Sequence, residues 1–269
     1  MSNPLRRIIT SIALMLFVIA TIFVFPAWFF CIVVSTLIGF GLYEFFAMVT
    51  KKGIFVYRYF GTIMGIILPI IIYLNYGGLA PDMEPFLLVI ISFFVFVLQF
   101  VRRDNSQALT AISITLLGIL YISWFFSFMI KIRHLPDGVY LVSFLLLVTK
   151  MGDIGAYVVG RFFGKHNLIP RISPNKTVEG TVGGFAVSMV TAFIVRGFLP
   201  NSSFVDLVIL GVLLGVLSQI GDLSESLIKR DCQVKDAATY LPGLGGVLDI
   251  IDSLLFTTPI FYFYVRMFL

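Results

Sequence analysis

Long hydrophobic runs separated by short polar segments make up most of this chain. Nine runs reach about 17 to 25 residues, enough to cross the hydrocarbon core of a bilayer as a helix. They are residues 8–25, 27–49, 60–76, 85–101, 108–130, 139–161, 180–199, 204–228 and 247–268. The runs lack the apolar–polar alternation of membrane β-strands. The pattern predicts an all-α polytopic membrane protein with about nine transmembrane helices.

The composition excludes a soluble domain of this size. Hydrophobic residues make up 59% of the chain and charged residues 12%, with a mean hydropathy of +1.03, whereas soluble domains are about 45–50% apolar and about 25% charged. We expect no nucleic-acid partner, because basic cytoplasmic loops explain the net charge of +5. Cys31 lies in an apolar run and Cys232 in a polar segment, so neither a disulfide nor a cysteine-ligated metal is expected.

Basic residues in the polar segments predict the orientation. Arg6 and Arg7 place the N-terminus in the cytoplasm, and the run after them is a retained span because no small-residue cleavage site follows. Alternation then places inside the basic segments 51–58, 102–103, 161–176 and 229–235. The segment 131–134 disagrees, because its Lys, Arg and His fall outside. Either these side chains extend to the interface or one span is miscounted.

Charged residues near the membrane concentrate in the second half of the chain. A charge inside hydrocarbon costs roughly 2.5–3.5 kcal/mol on insertion scales, so it is rarely retained without a use. In the first half, Glu44 is the main intramembrane acid. We predict an N-terminal transmembrane scaffold, residues 1–135, and a C-terminal transmembrane catalytic region, residues 136–269.

One face of the sixth run is polar. Lys150, Asp153, Tyr157 and Arg161 recur at i, i+3, i+7 and i+11, which places them on one side of a helix. Two interpretations remain open. The residues form a structural ion pair between spans, or they line a polar cavity that handles charged ligand groups.

The basic segment after the sixth run ends in SPNKTVEG, followed by glycines 183 and 184. Basic side chains and a glycine-rich helix N-terminus suit a phosphate. An ordinary cytoplasmic loop has the same composition, however, and Glu179 is typical of a helix start. The sequence GxxxxGK[ST] of a Walker loop is absent. The candidate substrate-binding residues here are Lys165, Ser173, Asn175, Lys176, Thr177 and Glu179.

Acidic residues of the last two runs predict a metal site. Asp222 and Glu225 share a helix face with Lys229, and Asp249 and Asp252 share a face at the start of the ninth run. Carboxylates without His or Cys form a hard, all-oxygen site, which suits Mg²⁺. We predict that Asp222, Asp249 and Asp252 bind Mg²⁺, with the number of cations left open. Alternatively, Asp249 and Asp252 only offset the positive end of the helix dipole.

The stretch GDLSESLIKRDCQVKDAATYLPGLGGVLDIIDS resembles the C-terminal motif of the phosphatidate cytidylyltransferase, or CDP-diacylglycerol synthase, family. The matching residues are Ser218, Gly221, Asp222, Ser226, Lys229, Arg230, Lys235, Asp236, Pro242, Gly243, Gly245, Gly246, Asp249 and Asp252. Leu244 and Ile250 stand where the family more often has His and Arg. The segment DIGAYVVGRFFGKHNLIPRISPNKTVEG is similar to the other polar block of the family.

The resemblance implies a multispan enzyme that converts CTP and phosphatidic acid to CDP-diacylglycerol and pyrophosphate in phospholipid biosynthesis. It also implies a divalent metal, a homodimer, and an inner-membrane location with the active site facing the cytoplasm. The candidate catalytic residues are then Asp222, Lys229, Asp249 and Asp252. Further candidate substrate-binding residues are Lys150, Asp153, Arg161, Ser226, Arg230, Lys235, Gly245 and Gly246.

Two other functions remain as alternatives. An ion-coupled transporter also has intramembrane charges and glycine-rich breaks, but its charges lie near the midplane, whereas the alternation here places them at one face. A CTP-dependent polyprenol or lipid kinase differs in its products, which are a phosphorylated lipid and CDP.

Overall fold

Helices form almost all of the described chain. The computed structural model describes residues 4–78, 83–234 and 245–269, and within the first helix the side chains from residue 12 onward. Across these residues the helices are α1 Pro4–Phe23, α2 Ala27–Lys51, α3 Arg58–Tyr76, α4 Glu84–Val101, α5 Ala108–His134, α6 Gly138–Phe163, α7 Val178–Ile194, α8 Phe204–Asp231 and α9 Val247–Phe268. Seven are long and apolar enough to cross a membrane, and shorter apolar helices, Ile12–Phe23 and Val178–Ile194, occupy the other two predicted positions. The all-α polytopic fold is confirmed.

Two local features differ from the hydropathy prediction. Helix α7 ends at Ile194, and the 3₁₀ turn Arg196–Phe198 occupies the end of the predicted run, because glycine and the nearby Pro200 disfavour further helix. Before α7 the chain forms an antiparallel hairpin, β1 Asn167–Ile169 with β2 Ser173–Thr177. Strands of three and five residues are too short for a hydropathy signal, so the sequence indicated only a loop.

The chain divides into two compact units. The first unit is Met1–His134 with Cys232–Ile250, and the second unit is Leu135–Asp231 with Ile251–Leu269. The proposed roles of residues 1–135 as scaffold and 136–269 as catalytic region concern function, and they stay a prediction.

In the first unit, glycine and proline in α3 shape its packing against α2 and α5. A Cβ at Gly65 would lie 2.1 Å from Leu42 Cδ1, so a larger residue would require the Leu42 side chain to move. Pro69 has no N–H to donate to the Gly65 carbonyl one turn earlier. The Ser123 hydroxyl, in a π-helical turn of α5, donates to that carbonyl at 2.6 Å. A neighbouring helix thus satisfies the carbonyl that proline leaves open, as a membrane interior requires.

The segment 131–134, which disagreed with the predicted orientation, is the last turn of α5. Lys131 is buried, and its ammonium donates to Glu84 at the start of α4 at 2.7 Å. Trp124 Nε1 donates to the same carboxylate at 2.6 Å. Because Glu84 neutralises Lys131, this lysine adds no exposed positive charge to the loop.

In the second unit, glycines bring α6, α7 and α8 together. A Cβ at Gly184 of α7 would lie 2.9 Å from Ala156 Cβ of α6, and one at Gly180 would lie 2.8 Å from the Ala156 carbonyl. A Cβ at Gly215 of α8 would lie 3.2 Å from the Phe185 ring of α7. Helix packing therefore accounts for glycines that the sequence analysis connected with a phosphate.

Candidate functional site

Three carboxylates form an acidic cluster in the second unit. Asp222 and Glu225 lie on α8, and Asp252 lies in the second turn of α9. One oxygen of each carboxylate lies within 4.8 Å of the others. Glu225 and Asp252 are buried, whereas Asp222 is partly exposed. These three residues form the acidic cluster.

The glycine before Asp222 permits the close crossing of α8 and α9. A Cβ at Gly221 would lie 2.4 Å from the Asp252 carbonyl oxygen and 3.1 Å from Ser253 Cα. Backbone thus contacts backbone at the crossing, which small residues allow between membrane helices. Asp222 and Asp252 stand next to this contact on their two helices, and the crossing therefore brings their carboxylates together.

Three lysines pair with carboxylates of the second unit. The pairs are Lys176–Asp222 at 2.7 Å, Lys150–Asp153 at 3.5 Å, and Lys229–Glu225. The three paired carboxylates and Asp252 make four negative groups. The three ammonium groups balance three of them, so the set has one net negative charge. A divalent cation would change this to one net positive charge, which favours the binding of anionic phosphate groups.

A cavity of about 420 Å³ opens beside Asp222. This volume lies within the range of about 300–1,000 Å³ that small-molecule sites occupy. Six residues predicted to bind substrate or metal line it: Asp153, Arg161, Asn175, Lys176, Thr177 and Asp222. They come from α6, β2 and α8. The hairpin that the sequence did not predict therefore forms one wall of the cavity.

Lys150 and Asp153 form an ion pair within α6, and hydrogen bonds connect them to the two following long helices. Asp153 lines the cavity and accepts a hydrogen bond from Ser218 Oγ at 2.6 Å. Lys150 forms the ion pair with Asp153 and donates to Ser253 Oγ of α9 at 2.8 Å. The two residues therefore connect the wall of the cavity to α8 and α9.

The first turn of α7 holds the base of the hairpin. Thr177 Oγ1 caps the helix by accepting the Gly180 N–H at 3.1 Å. Glu179, which precedes the apolar part of α7, accepts the N–H of Lys165 at 3.0 Å and of His166 at 3.2 Å, and His166 Nδ1 lies 2.6 Å from its carboxylate. These donors, Lys165 N–H foremost, lower the pKa of Glu179 from 4.5 to about 2. The contacts therefore stabilise the fold above pH 4.5, and this contribution is lost as the pH falls towards 2.

The acidic cluster fits a hard divalent cation. All its donors are carboxylate oxygens, which Mg²⁺ and Ca²⁺ prefer to nitrogen or sulfur. Oxygens about 2.0–2.6 Å from one ion are separated by up to about 5 Å, so the observed spacing is compatible with a shared cation. Asp222 also lines the cavity, where a phosphate would complete the coordination.

The start of α9 lies in the first unit and has its own carboxylate contacts. Glu44 Oε1 accepts the Val247 N–H at 2.9 Å, and Oε2 accepts the Leu248 N–H at 2.8 Å. Asp249 Oδ2 accepts the Gly246 N–H at 2.6 Å. The first N–H groups of a helix have no partner within it, and two carboxylates satisfy three of them here. This is the helix-start role that the sequence left open for Asp249, and its predicted role as a metal ligand stays a prediction.

Other predicted residues lie on α8, in or near the hairpin, and just before α9. Ser226 Oγ donates to Asp222 at 3.4 Å, and Arg230 Nε donates to the Ile172 carbonyl in the hairpin at 3.1 Å. Lys165 is exposed, Ser173 is partly buried in β2, and Gly245 has a φ of +86° that favours glycine. Lys235 lies outside the described residues.

Two groups at the site were not among the residues predicted from the sequence. Glu225 was noted beside Asp222 but not as a ligand, although the i, i+3 spacing places both on one helix face. Gln219 has the same spacing on the other side of Asp222 and lines the cavity. The contact of Glu44 with Val247 and Leu248 joins residues about 200 positions apart, for which a single sequence contains no local signal.

Known proteins resemble this chain over most of its length. Residues 5–268 match the profile of the Cytidylyltransferase family. The chain is 31% identical to the phosphatidate cytidylyltransferase of Haemophilus influenzae over 281 residues, 96% of this chain and 98% of that protein. It is 40% identical to the phosphatidate cytidylyltransferase of Bacillus subtilis over 167 residues, 61% of this chain and 62% of that protein. Its match to the Escherichia coli protein YnbB is 37% identical over 152 residues, 56% of this chain and half of that protein.

Proposed function

The chain belongs to the cytidylyltransferase family, and on that premise we propose that it is a phosphatidate cytidylyltransferase of a bacterial inner membrane. It transfers the cytidylyl group of CTP to phosphatidic acid, and the products are CDP-diacylglycerol and pyrophosphate. The observation that carries the proposal is the cavity that joins Lys176 and Arg161 to Asp222 of the acidic cluster. Basic groups suited to phosphates thus stand beside carboxylates suited to a divalent cation.

The residues of the cavity have separate roles in this proposal. Lys176 and Arg161 bind phosphate groups of CTP or of the lipid, and Lys229 and Arg230 supply further positive charge on α8. A phosphate monoester is already largely a dianion near neutral pH, so the attacking lipid phosphate needs no general base. Catalysis then consists mainly of holding the two phosphates in line and neutralising their charge.

Mg²⁺ would be held by Asp222, Asp252 and Glu225, with Asp249 retained from the sequence prediction as a further ligand. Bound there, the ion would supply positive charge that stabilises the leaving pyrophosphate. The three lysines keep the carboxylates close together against their mutual repulsion. The resemblance to the family also supports a homodimer and an active site that faces the cytoplasm, and both belong to the proposal.

The position of a radioactive label in CTP tests the reaction. Purified protein in detergent is given phosphatidic acid, Mg²⁺, and CTP labelled at either the α- or the γ-phosphate. We expect label from the α-position to enter the lipid phase as CDP-diacylglycerol, and none from the γ-position. EDTA should abolish the transfer.

Transfer of the γ-label to a polyprenol or another lipid would identify a kinase instead, since a kinase moves the terminal phosphate. A transporter would transfer neither label. Either result would end the proposal.

A further inference from the structure

Gln219 is a polar residue of α8 at the edge of the cavity. Its exposed fraction is only 7%, and it lines the cavity beside Asp222. Ligand cavities carry a few polar groups that orient the ligand. A mostly buried amide residue in the cavity lining is therefore positioned to bond to a group that enters the cavity.

The surroundings of Gln219 indicate which group that is. Gln219 and Asp222 are one turn apart on α8, so their Cβ atoms are about 5–6 Å apart. Lys176 Nζ lies 2.7 Å from Asp222 Oδ2 and lines the same cavity. A phosphoryl group bound by Lys176 thus lies within reach of the Gln219 amide.

On the basis of the proposed function, we propose that Gln219 is a catalytic residue whose Nε2 donates a hydrogen bond to a non-bridging oxygen of the phosphoryl group under transfer. The amide is neutral and held by burial in α8. It supplies a preorganised donor that strengthens as charge develops on the oxygen, and such donors act in the transition state more than in the bound substrate. The lysines, in contrast, attract the phosphates in both states.

Two substitutions separate this role from a structural one. Gln219→Leu removes the donor while keeping a buried side chain, and Gln219→Glu keeps the shape but replaces the donor with an acceptor. Ser224→Ala is the matched control, because Ser224 lies on the same helix and its hydroxyl donates to the carbonyl of Ile220 at 2.7 Å. For each protein we would measure kcat and KM for CTP, CTP binding without lipid by equilibrium dialysis, and the melting temperature.

We expect Gln219→Leu to lower kcat about 10²-fold, the loss that removal of one such donor typically causes. KM and CTP binding should stay within about threefold of wild type, because the lost bond belongs to the transition state. Gln219→Glu should lose at least as much, and Ser224→Ala should behave as wild type.

Wild-type kcat in both variants would overturn the role of Gln219 while leaving the cytidylyl transfer intact. A parallel loss of CTP affinity or of melting temperature in both Gln219 variants would also overturn the role. The amide would then be a binding or structural group. A wild-type protein that transfers no label from CTP would overturn this inference together with the proposed function.

Discussion

At the scale of single residues, Glu225 distinguishes the site as it is folded from the site that the sequence predicted. Its carboxylate is fully buried, pairs with Lys229 and lies within 4.8 Å of oxygens of Asp222 and Asp252. Burying a carboxylate is costly unless it is paired or binds a metal. Lys229 pairs with Glu225 from one turn away, and a cation shared with the two acidic neighbours would compensate further negative charge.

We predict that Glu225→Gln weakens divalent-cation binding at least about tenfold, because one charged ligand is lost while the shape is kept. Mn²⁺ titration followed by electron paramagnetic resonance measures this directly, without turnover. Glu84→Gln is the matched control, since Glu84 is also a partly buried partner of a lysine, Lys131, in the first unit. It should change stability and leave Mn²⁺ affinity unchanged.

Equal Mn²⁺ affinity in wild type and Glu225→Gln would remove Glu225 from the ligand set. The same titration of Asp249→Asn examines the other predicted ligand. An Asn oxygen still accepts the Gly246 N–H, so any loss of affinity in that variant comes from the missing charge and not from the helix start.

At the scale of elements, close helix crossings determine which polar residues meet. Gly221 and the Asp252 carbonyl are in contact where α8 crosses α9, and the carboxylates of the acidic cluster surround this point. The close crossing depends on the absence of a Cβ atom at Gly221. The geometry of the cluster is therefore a property of backbone packing as much as of the acidic side chains.

We predict that Gly221→Ala destabilises the protein by about 1–3 kcal/mol, the usual range for an overpacked core, and also lowers turnover. The new Cβ would lie 2.4 Å from a backbone oxygen, so α8 and α9 must separate and the acidic cluster must widen. Thermal unfolding and the Mg²⁺ dependence of the activity measure the two effects. Gly197→Ala, where a Cβ has nothing within 4 Å, should be neutral, and a neutral Gly221→Ala would contradict the argument.

Some elements of the fold and site could be predicted from the sequence, and others could not. The nine helical positions follow from hydropathy, because a bilayer requires long apolar helices. The face that holds Asp153 and Arg161 follows from helical spacing. The grouping of Asp222 with Asp252 was predicted from the oxygen ligands that Mg²⁺ prefers. The hairpin wall of the cavity and the contact of Glu44 with α9 could not be predicted, because short strands and contacts between distant segments depend on tertiary packing that one sequence does not encode locally.

At the scale of the whole molecule, the open question is the orientation in the membrane. The basic segments on one predicted side are the N-terminus and residues 51–58, 102–103, 161–176 and 229–235. The ion pair between Lys131 and Glu84 accounts for the one lysine that disagreed. With that charge neutralised, the positive-inside rule favours a cytoplasmic N-terminus more clearly than the sequence did.

We predict that single cysteines at Lys52 and Lys165, both exposed, react with a membrane-impermeant maleimide only after the cells are permeabilised. A cysteine at Asn201, exposed in the turn between α7 and α8, should react in intact cells. The native Cys31 and Cys232 are buried, and a version of the protein with both changed to serine provides the background. CTP is a cytoplasmic nucleotide, and it reaches the cavity only if the hairpin beside Lys165 faces the cytoplasm. Labelling of Lys165→Cys in intact cells would therefore contradict the orientation and the proposed reaction together.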